Sequence, residues 1–291
     1  MKKSYLKYIA GLLLFGSNGV VASFISLNSS QIVLLRSFFG SLMLLGIFLI
    51  TRMQLTVFRF PKDFLFIALS GAAMAADWLL LFEAYERIGV SMGMLINYSG
   101  PVIVMFLSPL IFRERLTRRK CLALAAALGG VFLISGEALS GGSDAIGLLC
   151  AVLSAFSYAG MVICNKKSEK IIGMENALLQ LVSACVVIAL FVGFRQGFAI
   201  KIVSAEWPAI LWLGIVNTGI GCFLYFSAIG KLSAQSVSVC GYLEPLSAVV
   251  LSALILHEKM GILQCLGMVL IIAGAAYGEG VFRRKPVASR I

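Results

Sequence analysis

The chain has 291 residues, of which 60% are hydrophobic and 13% are charged, and its mean hydropathy is +0.99. An ordinary globular domain is about 45–50% apolar and about a quarter charged, so a soluble protein of this length could not bury so many apolar side chains. The composition excludes a secreted scaffold, a disordered regulator and a nucleic-acid-binding domain, and it predicts that lipid surrounds most of the chain.

Ten apolar runs follow one another along the chain, each close to the length of about 20 residues that a helix needs to cross a bilayer. In lipid, a helix satisfies all of its backbone groups internally, so we predict an all-α polytopic membrane protein. The first run resembles a signal peptide, but no small-residue cleavage site follows it, and we expect an uncleaved span. The predicted transmembrane helices are 6–26, 31–51, 63–85, 90–112, 119–137, 145–165, 175–194, 208–229, 234–256 and 261–281.

Lysine and arginine are distributed unevenly among the loops that join these runs. If the N-terminus lies in the cytoplasm, 19 of the 24 basic residues fall on the cytoplasmic side, four fall on the other side, and Arg36 lies within a span. An excess of basic residues marks the cytoplasmic loops of membrane proteins. We therefore expect both termini in the cytoplasm, and we expect the net charge of +11 to face anionic lipid head groups rather than nucleic acid.

A shift of 144 residues aligns the two halves of the chain without gaps. The informative matches involve residues that are scarce here, namely Tyr98 with Tyr242, Pro101 with Pro245, and Glu114 with Glu258. Each half holds five predicted spans, and because five is odd, the second half must insert upside down relative to the first. Such inverted repeats are typical of secondary transporters. We predict two five-helix repeats, 1–138 and 145–282, followed by a basic cytoplasmic tail, 283–291.

Several short motifs then resemble a known family. They are Leu79–Tyr85 and Arg113–Thr117 in the first half, and Phe226–Ile229, Leu243–Leu246, Leu256–Lys259 and Ala273-Gly274 in the second. Together they are similar to the EamA-type branch of the drug/metabolite transporter superfamily. The resemblance implies a ten-helix carrier of the bacterial inner membrane with both termini inside. It also implies a central cavity lined by the third, fourth, eighth and ninth helices, and transport of amino acids or other small metabolites, often outward.

Pro101 and Pro245 lie near the centres of the fourth and ninth predicted spans. A proline inside a helix removes one backbone hydrogen bond, so we predict either a fixed kink that shapes the cavity or a hinge that moves. Tyr98 and Tyr242 precede these prolines by almost one helical turn. Their rings could hold an aromatic group or an ammonium group of a substrate, or could pack in the core.

Asp77 and Glu244 place carboxylates near the centres of spans three and nine. A charge at the bilayer centre costs on the order of 3 kcal/mol or more, so each carboxylate should face a polar interior. It could bind a cationic substrate, carry a proton or be held by structure; Asp77 departs from the family pattern of a neutral residue there and is the better candidate for specificity. The full set of predicted substrate-binding residues is Asp77, Trp78, Asn97, Tyr98, Asn217, Tyr242 and Glu244.

Arg36 and Glu83 lie at compatible depths in the outer thirds of spans two and three. We predict that they form an ion pair that ties the two helices together. The alternative is that they form a gate, or that Arg36 contacts a substrate carboxylate.

Motifs for other chemistries are missing from the sequence. There is one histidine, His257, and the seven cysteines show no CxxC spacing, so we expect neither a histidine-based metal site nor any cofactor. The phosphate-binding loop of ATP-driven pumps and the common protease and hydrolase motifs are also missing, so an enzyme is not expected. We interpret the chain as a secondary transporter, monomeric or homodimeric, that exports an amino acid or a related metabolite. The alternative is a proton-coupled carrier of a cationic or amine substrate.

Overall fold

The computed structural model describes residues 2–88, 90–135, 144–255, 257 and 261–279. Glu258 and the predicted tail 283–291 lie outside these residues. Within the described ranges the chain is helical and contains no β-strand. The helices are α1 (Lys2–Gly16), α2 (Asn18–Ala22), α3 (Ser29–Ile50), α4 (Pro61–Ile88), α5 (Val90–Asn97), α6 (Gly100–Phe112), α7 (Arg118–Ser135), α8 (Ala145–Lys167), α9 (Gly173–Arg195), α10 (Trp207–Leu211), α11 (Gly221–Ile229), α12 (Ala234–Gly241), α13 (Leu243–Ile255) and α14 (Ile262–Glu279).

Seven helical segments in these ranges are long and apolar enough to cross a membrane. This finding makes the chain a multi-pass membrane protein, as its composition predicts. The segments are Lys2–Ala22, Ser29–Ile50, Pro61–Tyr85, Ala145–Lys167, Gly173–Arg195, Ser204–Ile229 and Ala234–Ile255. The spans predicted at 90–112, 119–137 and 261–281 do not reach that length and composition: α6 is short, and α7 begins with three basic residues. The count of ten stays a prediction.

Polar side chains set the start of several helices. Asn28 accepts a hydrogen bond from the backbone N–H of Gln31 at the start of α3, and Ser233 does the same for Ser236 at the start of α12. Such caps satisfy N–H groups that have no partner inside the helix. Asp144 caps α8, and the N–H of Ile146 together with the Arg87 guanidinium holds the pKa of this carboxyl below its ordinary value.

Two of the predicted spans are interrupted by a short turn, where the backbone stays in the right-handed helical region. The chain between α5 and α6 turns at Tyr98 and Ser99, and Pro101 lies in the first turn of α6. The chain between α12 and α13 turns at Tyr242, and Pro245 lies in the first turn of α13. A proline is tolerated in the first turn because the N–H that it lacks would have no helical partner there. A nine-residue π-helical segment, Trp212–Ile220, interrupts a third span.

Small residues let helices from the two halves of the chain pack closely. A methyl group added to Gly130 of α7 would lie 2.5 Å from the carbonyl oxygen of Gly267 in α14. One added to Gly274 of α14 would lie 2.8 Å from the carbonyl oxygen of Ala123. The small-residue stretch of α14 is therefore used for packing inside the chain. Helix α1 likewise contacts the second half, because Gly16 lies against the backbone of Glu244 in α13.

We predict that Gly130→Ala lowers the free energy of unfolding by about 1–3 kcal/mol, the usual cost of overpacking a filled interface. Gly46→Ala is the matched control, because a methyl group there would have no neighbour within 4 Å. The control should be neutral or stabilised by up to about 1 kcal/mol, since alanine favours the helix. Reversible unfolding in detergent measures both variants, and equal effects of the two would contradict the close α7–α14 contact.

Candidate functional site

A cavity of about 800 Å³ lies inside the helical bundle. Its lining comes from both halves of the chain, including α3, α4, α5, α8, α11 and α13. A volume of this size falls within the range of about 300–1,000 Å³ that is typical of small-molecule sites. The cavity also contains polar and charged side chains. Such groups are energetically costly within the membrane, and where they occur they mark substrate or ion pathways.

Three charged side chains line this cavity: Arg36 from α3, Asp77 from α4 and Glu244 from α13. Arg36 is 8% exposed and Asp77 is 5% exposed. The sequence placed all three within membrane spans, and the fold brings them to one space. A cavity with one cation and two carboxylates can bind a ligand through charge of either sign.

Asp77 is held in place by an amide. The Nδ2 atom of Asn97, the last residue of α5, donates to Asp77 Oδ1 at 2.7 Å and to Ser154 Oγ at 3.0 Å. Asn97 also lines the cavity. One amide thus fixes the carboxylate of α4 against α5 and α8, while the rest of the carboxylate stays available to a ligand.

Arg36 is held by a ring rather than by a carboxylate. Its guanidinium carbon lies 3.9 Å from the centre of the Trp78 ring. Its Nε atom is buried and has no hydrogen-bond partner, and within the described part of the chain the guanidinium forms no hydrogen bond and no salt bridge. Trp78 thus contributes to the site by positioning a cation.

The predicted pair of Arg36 with Glu83 is wrong. Glu83 Oε1 lies 2.9 Å from Nε of Arg87, and its Oε2 lies 3.0 Å from Nη1 of Arg195. Arg87 in turn contacts Asp144 at 3.1 Å. Compatible depths suggested the pair, but the two side chains leave their helices in different directions. Arg36 turns over Trp78 into the cavity, and Glu83 joins the cluster where α4, α8 and α9 meet.

Two predicted substrate-binding residues do not line the cavity. Tyr242 is fully buried and donates from its hydroxyl to the carbonyl oxygen of Tyr98 at 2.7 Å. Asn217 is also fully buried, and it donates to Ser17 Oγ at 2.8 Å and to Asn18 Oδ1 at 3.0 Å. The structure places both in contacts between helices instead. Of the two prolines, Pro101 lines the cavity and Pro245 does not.

Aromatic rings supply much of the remaining lining. Trp78 and Tyr98 were expected there, but Tyr85, Tyr158, Tyr225 and Phe226 were not predicted to bind substrate. Each of these four lies in an apolar run, where a ring that faces a cavity has the same sequence pattern as a ring that faces the core.

The two ends of the bundle differ in how they are closed. We call the end that carries the start of α1 the Lys2 end and the end that carries the start of α3 the Ser29 end. The cavity lining reaches Ser29 and Ile32 in the first turns of α3, so the cavity extends toward the Ser29 end.

At the Lys2 end, hydrogen bonds join the two halves of the chain. The Glu114 carboxylate accepts from the backbone N–H of Ala234 at 2.8 Å and from that of Gln235 at 3.3 Å. The side chain of Gln235 donates back to the carbonyl oxygen of Arg115 at 3.1 Å, and the Tyr8 hydroxyl donates to the carbonyl oxygen of Val237 at 2.9 Å. We call the contact of Glu114 with the start of α12 the Glu114 latch.

Comparison with known proteins identifies the family. The model of the EamA-like transporter family matches residues 2–136 and 145–277. The chain belongs to the EamA-like transporter family. Members of this EamA family are transporters rather than enzymes, as the missing catalytic motifs predicted.

Relatives of this EamA chain carry transporter names. The uncharacterized transporter YxxF of Bacillus subtilis (strain 168) is 26% identical over 276 residues, which cover 93% of this chain and 88% of YxxF. A protein of Escherichia coli (strain K12) named "Probable amino-acid metabolite efflux pump" is 29% identical over 213 residues, 68% of this chain and 71% of that protein. A crystal structure with 17% sequence identity superposes with a TM-score of 0.83 over 97% of this chain and 99% of that chain, so the fold is shared.

A double-mutant cycle tests the corrected ion pairing. We predict a coupling free energy of about 0.2–1 kcal/mol between Glu83→Gln and Arg195→Gln, the usual range for an exposed pair. Glu83→Gln and Arg36→Gln should be additive within about 0.5 kcal/mol, because they share no partner. Unfolding of the single and double variants in detergent gives both values, and strong coupling of Arg36 with Glu83 would restore the original pairing.

Proposed function

We propose that this EamA family member is a secondary transporter that moves a small polar metabolite, an amino acid or a related compound, out of a bacterial cell. The observation that carries the proposal is the cavity in the middle of the bundle, where Arg36, Asp77 and Glu244 face one space. The aromatic rings of Trp78 and Tyr98 in the same lining suit a ligand that has both charged and apolar parts. The name of the Escherichia coli relative supports the substrate class and the direction.

We propose further that the chain forms ten transmembrane helices arranged as two inverted repeats, 1–138 and 145–282. The family model matches one range in each of these segments. The helix bounds support the duplication, since α5 spans 90–97 and α12 spans 234–241, which is the same segment displaced by 144 residues. The bias of basic residues favours the bacterial cytoplasmic membrane with both termini inside, and lipids as the surrounding partner. A monomer or a homodimer would satisfy this arrangement.

The difference between the two ends of the bundle supports alternating access. With the N-terminus in the cytoplasm, the Lys2 end faces inward and the Ser29 end faces outward. The cavity then extends toward the outside, and the Glu114 latch closes the inside. In the opposite state the latch opens, so the strength of the latch contributes to the equilibrium between the two states.

A second candidate function is the proton-coupled transport of a cationic amine. It is favoured by the presence of two carboxylates, Asp77 and Glu244, in the lining of the cavity. A carboxylate in that position attracts a cation or a proton and repels the carboxylate of a substrate. The two functions therefore differ in what each carboxylate does.

The variants Asp77→Asn and Glu244→Gln separate these functions. If the substrate is a cationic amine, each variant should weaken binding by about 1.5–3 kcal/mol, the value of a charge-assisted hydrogen bond. If a carboxylate carries the coupling proton, its variant should still bind and exchange substrate across vesicles but fail at transport driven by a pH gradient. A zwitterion held by several groups should show only modest effects of Asp77→Asn. Wild-type behaviour of both variants in both assays would mean that neither residue belongs to the site.

The variant Glu114→Gln tests the latch and the orientation together. It removes the charge that faces the N-terminus of α12, which is worth about 1–2 kcal/mol in a partly buried position, and so shifts the two states by roughly five- to thirtyfold. Leu81→Cys in the cavity lining, on a cysteine-free background, reports the outward state through an impermeant thiol reagent in right-side-out vesicles.

External labelling should be rapid in the reporter protein and should fall when Glu114→Gln is added. The exposed Glu169→Gln, at the same end of the bundle, is the charge-matched control and should leave the labelling unchanged. Labelling from the inside only would contradict the orientation, and equal labelling with Glu114→Gln would contradict the latch.

A further inference from the structure

We propose that Arg36, stacked on Trp78, binds the carboxylate of the transported molecule, so that the substrate must carry a carboxylate group. The inference rests on the proposed function, because it uses the same cavity as the transport site. It adds a specificity-determining residue and decides between the two candidate substrate classes.

The first argument is that the cation has no hydrogen-bond acceptor among the described residues. Arg36 is 8% exposed, and in the ranges that the structure describes its guanidinium forms no hydrogen bond and no salt bridge. Its Nε atom is fully buried without an acceptor. Buried charges in proteins are normally paired, because desolvation of an unpaired charge costs several kcal/mol. An arginine with unused donors inside a cavity is explained by an acceptor that arrives with the ligand.

The second argument is the geometry of the stack. The ring of Trp78 lies 3.9 Å from the guanidinium carbon, so the ring can hold the cation while the N–H groups stay available around its edge. A guanidinium offers its donors as a fork that matches the two oxygens of a carboxylate. Trp78 and Arg36 come from adjacent spans, α4 and α3, so their contact is built by the fold. Trp78 thus acts as a positioning residue for Arg36.

The third argument is the charge of the remaining lining. Asp77 already accepts a hydrogen bond from Asn97. The Glu244 carboxylate belongs to α13, in the second half of the chain, and it lines the same cavity. Within the described residues it forms no hydrogen bond and no salt bridge. Within the described residues, the cavity therefore holds a cation and an anion that form no salt bridge, although they attract each other electrostatically. A molecule with a carboxylate and a nearby cationic group satisfies both Arg36 and Glu244, whereas a simple amine could face the two carboxylates but would leave the Arg36 guanidinium without an acceptor.

The test compares ligands that differ only in the carboxylate. Purified protein is screened by thermal shift against the twenty protein amino acids. The carboxamide and the decarboxylated amine of each amino acid are measured beside it. The variants are Arg36→Gln, which removes the charge, and Arg36→Lys, which keeps the charge but loses the fork. Arg59→Gln is the matched control, because Arg59 is exposed on the loop between α3 and α4.

We expect the wild type to bind the acid more tightly than its carboxamide by about ten- to a hundredfold, the usual effect of losing a charge-assisted hydrogen bond. Arg36→Gln should remove this preference, weakening the acid and leaving the carboxamide unchanged. Arg36→Lys should lie between the two, and Arg59→Gln should match the wild type. Without ligand, Arg36→Gln should melt no lower than the wild type, since it removes an unpaired buried charge.

Other outcomes overturn the inference in distinguishable ways. If the wild type binds an amino acid and Arg36→Gln keeps the preference for the acid, the transport proposal stands and the role of Arg36 is wrong. If Arg36→Gln melts well below the wild type and Arg36→Lys restores both stability and full affinity, Arg36 is structural. If the wild type binds only amines, or none of the panel, the inference and the amino-acid proposal fail together.

Discussion

The structure depends on one physical constraint, which is that a polar group inside a lipid-surrounded bundle must find its partner within the protein. Most of this chain meets the constraint with helical backbone bonds and apolar side chains. Arg36, Asp77 and Glu244 are charged exceptions that turn inward to a shared cavity. Asp77 has a partner in Asn97, whereas the side chains of Arg36 and Glu244 form no hydrogen bond and no salt bridge within the described ranges.

The same constraint explains where the helices break. Backbone carbonyl groups that lose their helical partners are tolerated in a membrane protein only where they line a cavity or meet another protein group. The α5–α6 break shows both solutions, because Tyr98 lines the cavity and its carbonyl oxygen accepts a hydrogen bond from Tyr242. Tyr242 thus supports Tyr98. A shift of 144 residues aligns these two tyrosines, yet Tyr98 lines the cavity and Tyr242 lies behind it.

At the Lys2 end, the Glu114 carboxylate satisfies backbone N–H groups at the N-terminus of α12. Glu114 belongs to the first half of the chain and α12 to the second, so this contact forms only when the halves approach at that end. Hydrogen bonds of this kind can be exchanged without unfolding a helix. The alternating access that we propose needs contacts with this property, strong enough to hold one state and local enough to release.

The sequence by itself determined the apolar helices, the residue matches at a shift of 144 and the family, because composition, scarce residues and short motifs are properties of the chain alone. It also identified Asp77, Asn97, Tyr98 and Glu244 as candidates, since a polar group in an apolar run stands out. It could not determine the direction in which a side chain leaves its helix. That is why Glu83 was paired with Arg36, why Asn217 and Tyr242 were assigned to the site, and why the unpaired guanidinium over Trp78 was visible only once the helices were packed. Depth in a span follows from counting residues, whereas the face that a residue presents to its neighbours is decided by tertiary packing.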